Sequence, residues 1–466
     1  MQKVLFINPC LRPDAKQKFP PVGLACILTA VQKAGIDFEL IDMDAYTMSM
    51  KDLGERLSRE TYDIYALGCI VSSLRLVAEI TSVIRESNPA AVIIAGNSVA
   101  SSIPELLLRN TEVDIAVMGE GDVTIVELLE ALMKGRSLDN IKGIAFLDGD
   151  SLVRSPQREL VSDLDTIGFP NWDLFELERY NESTLRPSVD DSENPVVYPL
   201  NAARGCPFKC TFCYHVFKGE RYRRFSDEAV VEELKRLHYK YKATLVYFWD
   251  ELTFPNIPSV ERFVARIEEV PFRIDWQAIT RADLFRKKDI PLVKRMRDAG
   301  CKSIVFSIEN ASPEILKAMN KKMRIDRVAE HCEALQNGGI TAFTSIIFGY
   351  PQETPKTIRM TLDLCERANI FPSVGFLQPL PGTPIYDWAV QQGFIEDELT
   401  YLMQAGDRQD FHINLTKMPT DEFIDIVVSS MEDLAKKMGL EFDNPLKTGV
   451  YQKSKRKTAA TAGRVC

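Results

Sequence analysis

Two separate runs of alternating strand and helix signals constrain this chain more than any other feature. In the first, β-branched segments at residues 4–8, 38–41, 64–67, 92–95 and 115–117 are divided by amphipathic stretches at 24–34, 51–59, 74–86 and 124–132. Strands that alternate with helices bury both faces of a parallel sheet, so this run predicts a doubly wound, flavodoxin- or Rossmann-like α/β domain over 1–138. The second run places strands at 196–202, 245–249, 274–279, 303–308, 343–348 and 374–377. Its helices fall at 227–241, 259–268, 290–298, 325–336 and 357–368. Six such units predict a partial (β/α)6 barrel over 196–384, with its site at the carboxyl ends of the strands.

Between the runs, 144–147 and 152–154 flank Asp148-Gly149-Asp150, a hairpin signal. Prolines and acids over 170–195 read as a linker, so 139–195 is taken as hairpin and linker. A small helical region is expected over 385–446. The tail from 447 to 466 carries six basic residues and no acids, and reads as disordered.

Composition narrows the class. The 466 residues carry a net charge of −9, which argues against nucleic acid as the main partner. No stretch approaches the roughly eighteen apolar residues a membrane helix needs, and the start lacks a signal-peptide pattern, so no membrane association and a cytoplasmic location are expected. Four histidines make a histidine-rich metal site a poor fit. Of ten cysteines, seven are scattered; Cys26, Cys69 and Cys332 sit among apolar neighbours and read as small core residues.

The other three, Cys206, Cys210 and Cys213, crowd into eight residues directly after a strand. Such a loop can wrap a compact iron–sulfur cube. Three thiolates for four irons leave one iron open to a ligand, as catalytic metal sites keep an open position. The alternative is zinc held with His215, but zinc knots pair two-residue spacings and no second pair lies nearby.

These cysteines, with Phe212 before the last, resemble the signature of the radical S-adenosylmethionine (SAM) superfamily. The resemblance implies that the open iron binds SAM and that reduction of the 4Fe–4S cluster releases a 5′-deoxyadenosyl radical. Other segments match in order. Trp249-Asp250-Glu251 is similar to the acidic motif at the SAM amino group, without its glycine pair. Arg281 occupies a position that faces the methionine carboxylate, and Ser307 and Glu309 resemble ribose-contacting positions. Ile346-Ile347-Phe348-Gly349, ahead of Pro351 and Glu353, is similar to the adenine-binding strand. Each charged residue also has a plain reading as a surface salt bridge.

In the first domain, Pro20-Pro21-Val22-Gly23, Gly68 to Ser73 with Ser72, Gly96-Asn97 and Gly119-Glu120-Gly121 resemble the loops of a cobalamin-binding domain. Small residues at strand ends let a corrin edge approach the backbone. The first loop, 10–21, contains no histidine, so it supplies no histidine ligand to cobalt. A sheet that merely packs on the barrel is the plain alternative.

Together the resemblances imply a cobalamin-dependent methyltransferase acting on an unactivated carbon, with a reducing partner such as flavodoxin or ferredoxin. Cyclisation or rearrangement without methyl transfer uses the same parts, and a cofactor-binding sensor is the alternative from another class. Tyr401, Arg408 and His412, in a polar and aromatic stretch, are the candidate substrate contacts. The substrate's identity is not legible in these residues.

Overall fold

The computed structural model describes residues 2–15, 18–183, 195–214, 216–217, 221–406 and 411–440. His215, Arg408, the part of the expected linker at 184–194 and the basic tail lie outside the described residues. The chain divides into two compact units. One comprises Met1–Pro207, Tyr214–Glu251 and Asp397–Ala405; the other comprises Phe208–Cys213, Leu252–Glu396 and Gly406–Cys466.

The first unit is built on a seven-stranded sheet. Its strands are β1 (Val4–Asn8), β2 (Glu39–Asp42), β3 (Ile64–Gly68), β4 (Val92–Gly96), β5 (Ile115–Val117), β6 (Ile144–Asp148) and β7 (Ser151–Arg154), in the order β2-β1-β3-β4-β5-β6-β7. The first five pair in parallel, as their continuous apolar runs predict for strands covered on both faces. The order reverses beside β1, and the crevice outside the carboxyl ends at such a switch point is where open α/β sheets bind ligands. The hairpin β6–β7 is present as expected, but it also extends this sheet by pairing antiparallel to β5. Its local sequence signals a hairpin and carries no sign of the neighbour, because that pairing is non-local.

The described part of the expected linker is not a solvated tether. A turn at Trp172–Leu174 and a helix at Leu177–Ser183 bury Trp172, Phe175, Leu177 and Tyr180. The Tyr180 hydroxyl donates to Asp42 at the end of β2, and the Asn8 amide at the end of β1 donates to the same carboxylate at 2.7 Å. The unit also contains the parallel pair β8 (Val197–Leu200) and β11 (Leu245–Phe248), and a ribbon of β9 (Ala203–Arg204) with β10 (Arg223–Arg224). Phe19, from the loop after β1, packs on Tyr247 and Trp249, with its ring centroid 4.7 Å from that of Trp249.

The second unit holds four parallel strands in chain order: β12 (Asp275–Ile279), β13 (Cys301–Glu309), β14 (Thr341–Phe348) and β15 (Pro372–Phe376). Helices Ile290–Asp298, Val328–Gly338 and Pro355–Arg367 lie between them. Thr354 caps the last of these, with Pro355 where a missing N–H costs nothing. Helices Asp227–Tyr241 and Ile290–Asp298 run where the sequence periodicity placed them. Helix Thr420–Lys437 covers part of this unit, burying Phe423, Val427 and Met431.

Candidate functional site

The carboxyl edge of the first sheet is bare. Gly68 and Gly96 stand opposite each other in register, so two neighbouring central strands end without side chains. A Cβ added at Gly23, Gly96 or Gly119 would meet no atom within 4 Å. Gly119 holds φ +75°, a left-handed conformation that favours glycine, and Asn97 holds φ +69°. Leu11, Ile70 and Val123, following β1, β3 and β5, are all exposed apolar side chains. An open floor of backbone with an apolar fringe suits a large flat ring with polar substituents. Ser72 is buried in the turn Val71–Ser73, whose first N–H donates to Ser98 Oγ at 2.8 Å. Pro21 opens helix Val22–Lys33. Helix Glu398–Gln404, carrying half-buried Tyr401, packs against that turn and helix Leu74–Ser87.

Glu120 is placed differently from the other loop residues. Its carboxylate is buried, bonded to Arg204 Nη1 at 2.5 Å and Arg223 Nη1 at 3.0 Å, and accepts from the Val161 N–H at 2.8 Å. Asp122, two residues on, takes Arg204 in a bidentate pair at 2.7 and 2.9 Å. Arg204 and Arg223 face each other across the β9–β10 ribbon. One carboxylate pair therefore holds both flanks of the segment that contains the three cysteines. Burial works against the Arg204 charge, but the hydrogen bonds and charge of Asp122 win and raise its pKa above the ordinary value. Sequence reading placed Glu120 at a cofactor, in the segment Gly119-Glu120-Gly121-Asp122, and missed the pairing of these acids with Arg204 and Arg223, because it spans about eighty to one hundred residues.

The approach to Cys206 is set by Gly205, at φ +87°, whose N–H donates to Glu251 Oε2 at 3.2 Å. Asp250 is buried and accepts from the Ala203 N–H at 3.0 Å. Both acids of the Trp-Asp-Glu motif thus orient the backbone just ahead of the first cysteine. The segment Phe208–Cys213 is anchored within the second unit by Thr211. Its N–H donates to Met319 O at 2.9 Å, its hydroxyl reaches Ala318 O and Tyr350 Oη at 2.8 Å each, and its carbonyl accepts from Ile385 N at 3.2 Å. Phe212 meets the Tyr350 ring edge-on. Nothing in the sequence pattern singled out Thr211; a small hydroxyl inside a cysteine loop was the available signal.

Cys206, Cys210 and Cys213 are half-buried, and none of the described cysteines forms a disulfide. Cys69 and Cys332 are core residues, their thiols pushed up to about 12 by burial. Among the described residues no three His, Cys, Asp or Glu side chains converge to hold a single metal ion. A cube has no such requirement, since each thiolate binds its own iron corner.

In the second unit Arg281 lies over the Phe208 ring, 3.9 Å from its centroid, pairs with Asp283, and donates to the Lys322 carbonyl. Glu309 ends β13 at φ +63°, strained for a non-glycine residue. Its Oε1 binds Lys321 Nζ at 2.9 Å, while the buried Oε2 has no hydrogen-bond partner among the described residues. A strained acid with an orphaned oxygen at a strand's carboxyl end fits a ligand hydroxyl donor. Ser307 bonds Ser345 at 2.8 Å. Gly349, at φ +115°, donates to Glu353, whose buried carboxyl is pushed up to about 7 by desolvation. His412 is half-buried beside Phe411, which packs on Phe376 and Phe423.

A family model described as the radical SAM superfamily matches residues 200–365, and one described as a B12 binding domain matches 10–129. Over 402 residues the chain is 28% identical to a protein of Pyrococcus horikoshii named as an uncharacterized methyltransferase, covering 85% of this chain and 84% of that one. It is also 28% identical over 371 residues to the anaerobic magnesium-protoporphyrin IX monomethyl ester cyclase of Cereibacter sphaeroides, covering 77% of this chain and 59% of the cyclase. The fold resembles that of the radical SAM methyltransferase TsrM of Kitasatospora setae, solved with cobalamin and a [4Fe-4S] cluster. The TM-score is 0.69 at 18% identity, over 93% of this chain and 89% of TsrM.

Proposed function

We propose that this chain, which matches the radical SAM superfamily over residues 200–365 and a B12 binding domain over 10–129, is a cobalamin-dependent methyltransferase acting on an unactivated carbon. The observation that carries this reading is the presence in one chain of a three-cysteine loop and a sheet edge stripped of side chains. A relative named as a methyltransferase matches over most of both chains.

When bound, the cluster and SAM supply a 5′-deoxyadenosyl radical, and cobalamin supplies the methyl group. The protein's part is placement. Cys206, Cys210 and Cys213 hold three irons, and Thr211 fixes the loop between the last two. Glu251 and Asp250 shape the approach to Cys206 and would hold the amino group of SAM. Glu309 Oε2 would accept from a ribose hydroxyl with Ser307 alongside, Arg281 would take the methionine carboxylate, and Gly349 and Phe212 would border the adenine. Pro21, Gly23, Ser72, Gly96, Asn97 and Gly119 are assigned to the corrin, with open space at Gly23, Gly96 and Gly119, whereas the bare Cα of Gly121 makes way for Ile27 and Glu120 acts through Arg204 and Arg223 as a positioning residue. Tyr401, Arg408 and His412 are assigned to the substrate.

Equal identity to a cyclase favours one rival, ring closure without methyl transfer. S-Adenosylhomocysteine separates the two. Its formation only when cobalamin is bound supports methyl transfer; 5′-deoxyadenosine without it, in the presence of turned-over substrate, supports cyclisation.

A further inference from the structure

Cleaving SAM at the cluster consumes one electron that no residue of the chain can donate, so a carrier must deliver it. The chain as a whole, at −9, repels an acidic carrier. Locally the sign reverses. Between Leu316 and Arg327 stand five basic residues (Lys317, Lys321, Lys322, Arg324 and Arg327) against one acid, Asp326.

This segment is stitched to the cysteine loop. Met319 O and Ala318 O accept from Thr211, the Asn320 amide donates to Lys209 O at 2.8 Å, and Lys322 O accepts from Arg281. Lys209, Lys317, Lys322 and Arg324 are exposed. Lys321 is turned inward onto Glu309, and Arg324 shares its charge with Asp326, which leaves Lys209, Lys317 and Lys322 as the ammonium groups on this face without an ion pair among the described residues. Lysines held around the loop that carries Cys210 and Cys213 place positive potential beside the cluster ligands, where a carrier's own redox group has to come close.

We propose that this face is the landing surface of a small acidic electron-carrier protein, a partner for the radical chemistry proposed above, on which the inference rests. The carrier gives up one electron and the cluster falls from the 2+ to the 1+ state, with no other bond made or broken. Attraction between opposite faces raises the encounter rate and fades with salt, because exposed charges are screened beyond about 10 Å at 0.1 M ionic strength.

The test uses the reconstituted full chain and follows loss of the cluster's visible absorbance and growth of its paramagnetic signal. Fully reduced flavodoxin is one reductant and dithionite the other. The double variant Lys317→Glu with Lys322→Glu should slow flavodoxin-driven reduction roughly tenfold or more at low salt, with the gap closing at high salt. Its dithionite-driven reduction should match wild type, which also certifies the fold. Lys235→Glu, on helix Asp227–Tyr241 of the first unit, should change neither rate. If flavodoxin reduces the double variant as fast as wild type at low salt, the landing surface is wrong while the enzyme reading stands. If no cluster assembles in wild type, both fall.

Discussion

Asp122 offers a prediction that can be worked from distances. It accepts two charge-assisted hydrogen bonds from Arg204, at 2.7 and 2.9 Å; the Asp122 side chain is 8% exposed and that of Arg204 11%. Removing one member of a buried pair leaves the other charge stranded, a cost of about 3–5 kcal/mol. Arg204 retains Glu120, so Asp122→Ala should lower the stability of the first unit by about 3 kcal/mol, near the bottom of that range. Asp122→Asn keeps the volume and one acceptor, and should cost about 2 kcal/mol. The pair Asp122→Leu with Arg204→Met removes both charges, and should recover much of the loss. Urea titrations read by pulsed hydrogen exchange, on peptides spanning 119–133 and 197–206, report this unit without averaging over the other. The variants should also bind less iron, since Arg204 stands two residues before Cys206. An Asp122→Ala protein within about 0.5 kcal/mol of wild type, or a double variant worse than either single one, would refute the clamp.

Other substitutions test other parts. Gly96 has φ −129° and nothing within 4 Å of an added Cβ. Gly96→Leu should therefore leave the thermal midpoint nearly unchanged yet weaken cobalamin binding more than tenfold, as measured by spectroscopic titration; equal affinity would remove that edge from the corrin site. Thr211→Val deletes the hydroxyl bonds to Ala318 and Tyr350 at constant shape, costs about 1–3 kcal/mol, and should lower iron content per chain; full iron loading at wild-type stability would contradict the anchoring role. Burial raises Glu353 to about 7, so its protonated form suits the fold. The stability it contributes is complete below its ordinary value near 4.5 and declines as pH rises through 7, by roughly 3 kcal/mol. Denaturation midpoints of the second unit should fall between pH 5 and 8 in wild type and stay flatter in Glu353→Gln; parallel profiles would count against it.

The sequence was most legible where the signal is local. Helix Asp227–Tyr241 announces itself through Ser226, two acids in its first turn and a clean apolar stripe. The apolar runs of β1 and β3 read directly as strands buried on both faces. The three cysteines stood out by spacing alone. What stayed hidden depends on partners far away in the chain. The β6–β7 hairpin gives no sign that it extends the first sheet. The 170–183 stretch looked like a tether because its prolines and acids outweighed Trp172 and Tyr180, whose burial needs Asp42 and Asn8 to be in place. Glu120 read as a ligand contact because its segment, Gly119-Glu120-Gly121-Asp122, resembles a cobalamin-domain loop; only the folded chain brings Arg204 and Arg223 to it. Phe19 likewise gave no hint that the loop after β1 packs on Trp249, the neighbour of Asp250 and Glu251.

The most direct test of the central claim is anaerobic reconstitution with iron, sulfide and cobalamin, followed by mass spectrometry of SAM products under reducing conditions. Wild type should assemble a cluster and form 5′-deoxyadenosine, with both lost in Cys206→Ala. A wild-type protein that assembles no iron–sulfur cluster, or a Cys206→Ala variant that still forms 5′-deoxyadenosine, would contradict it.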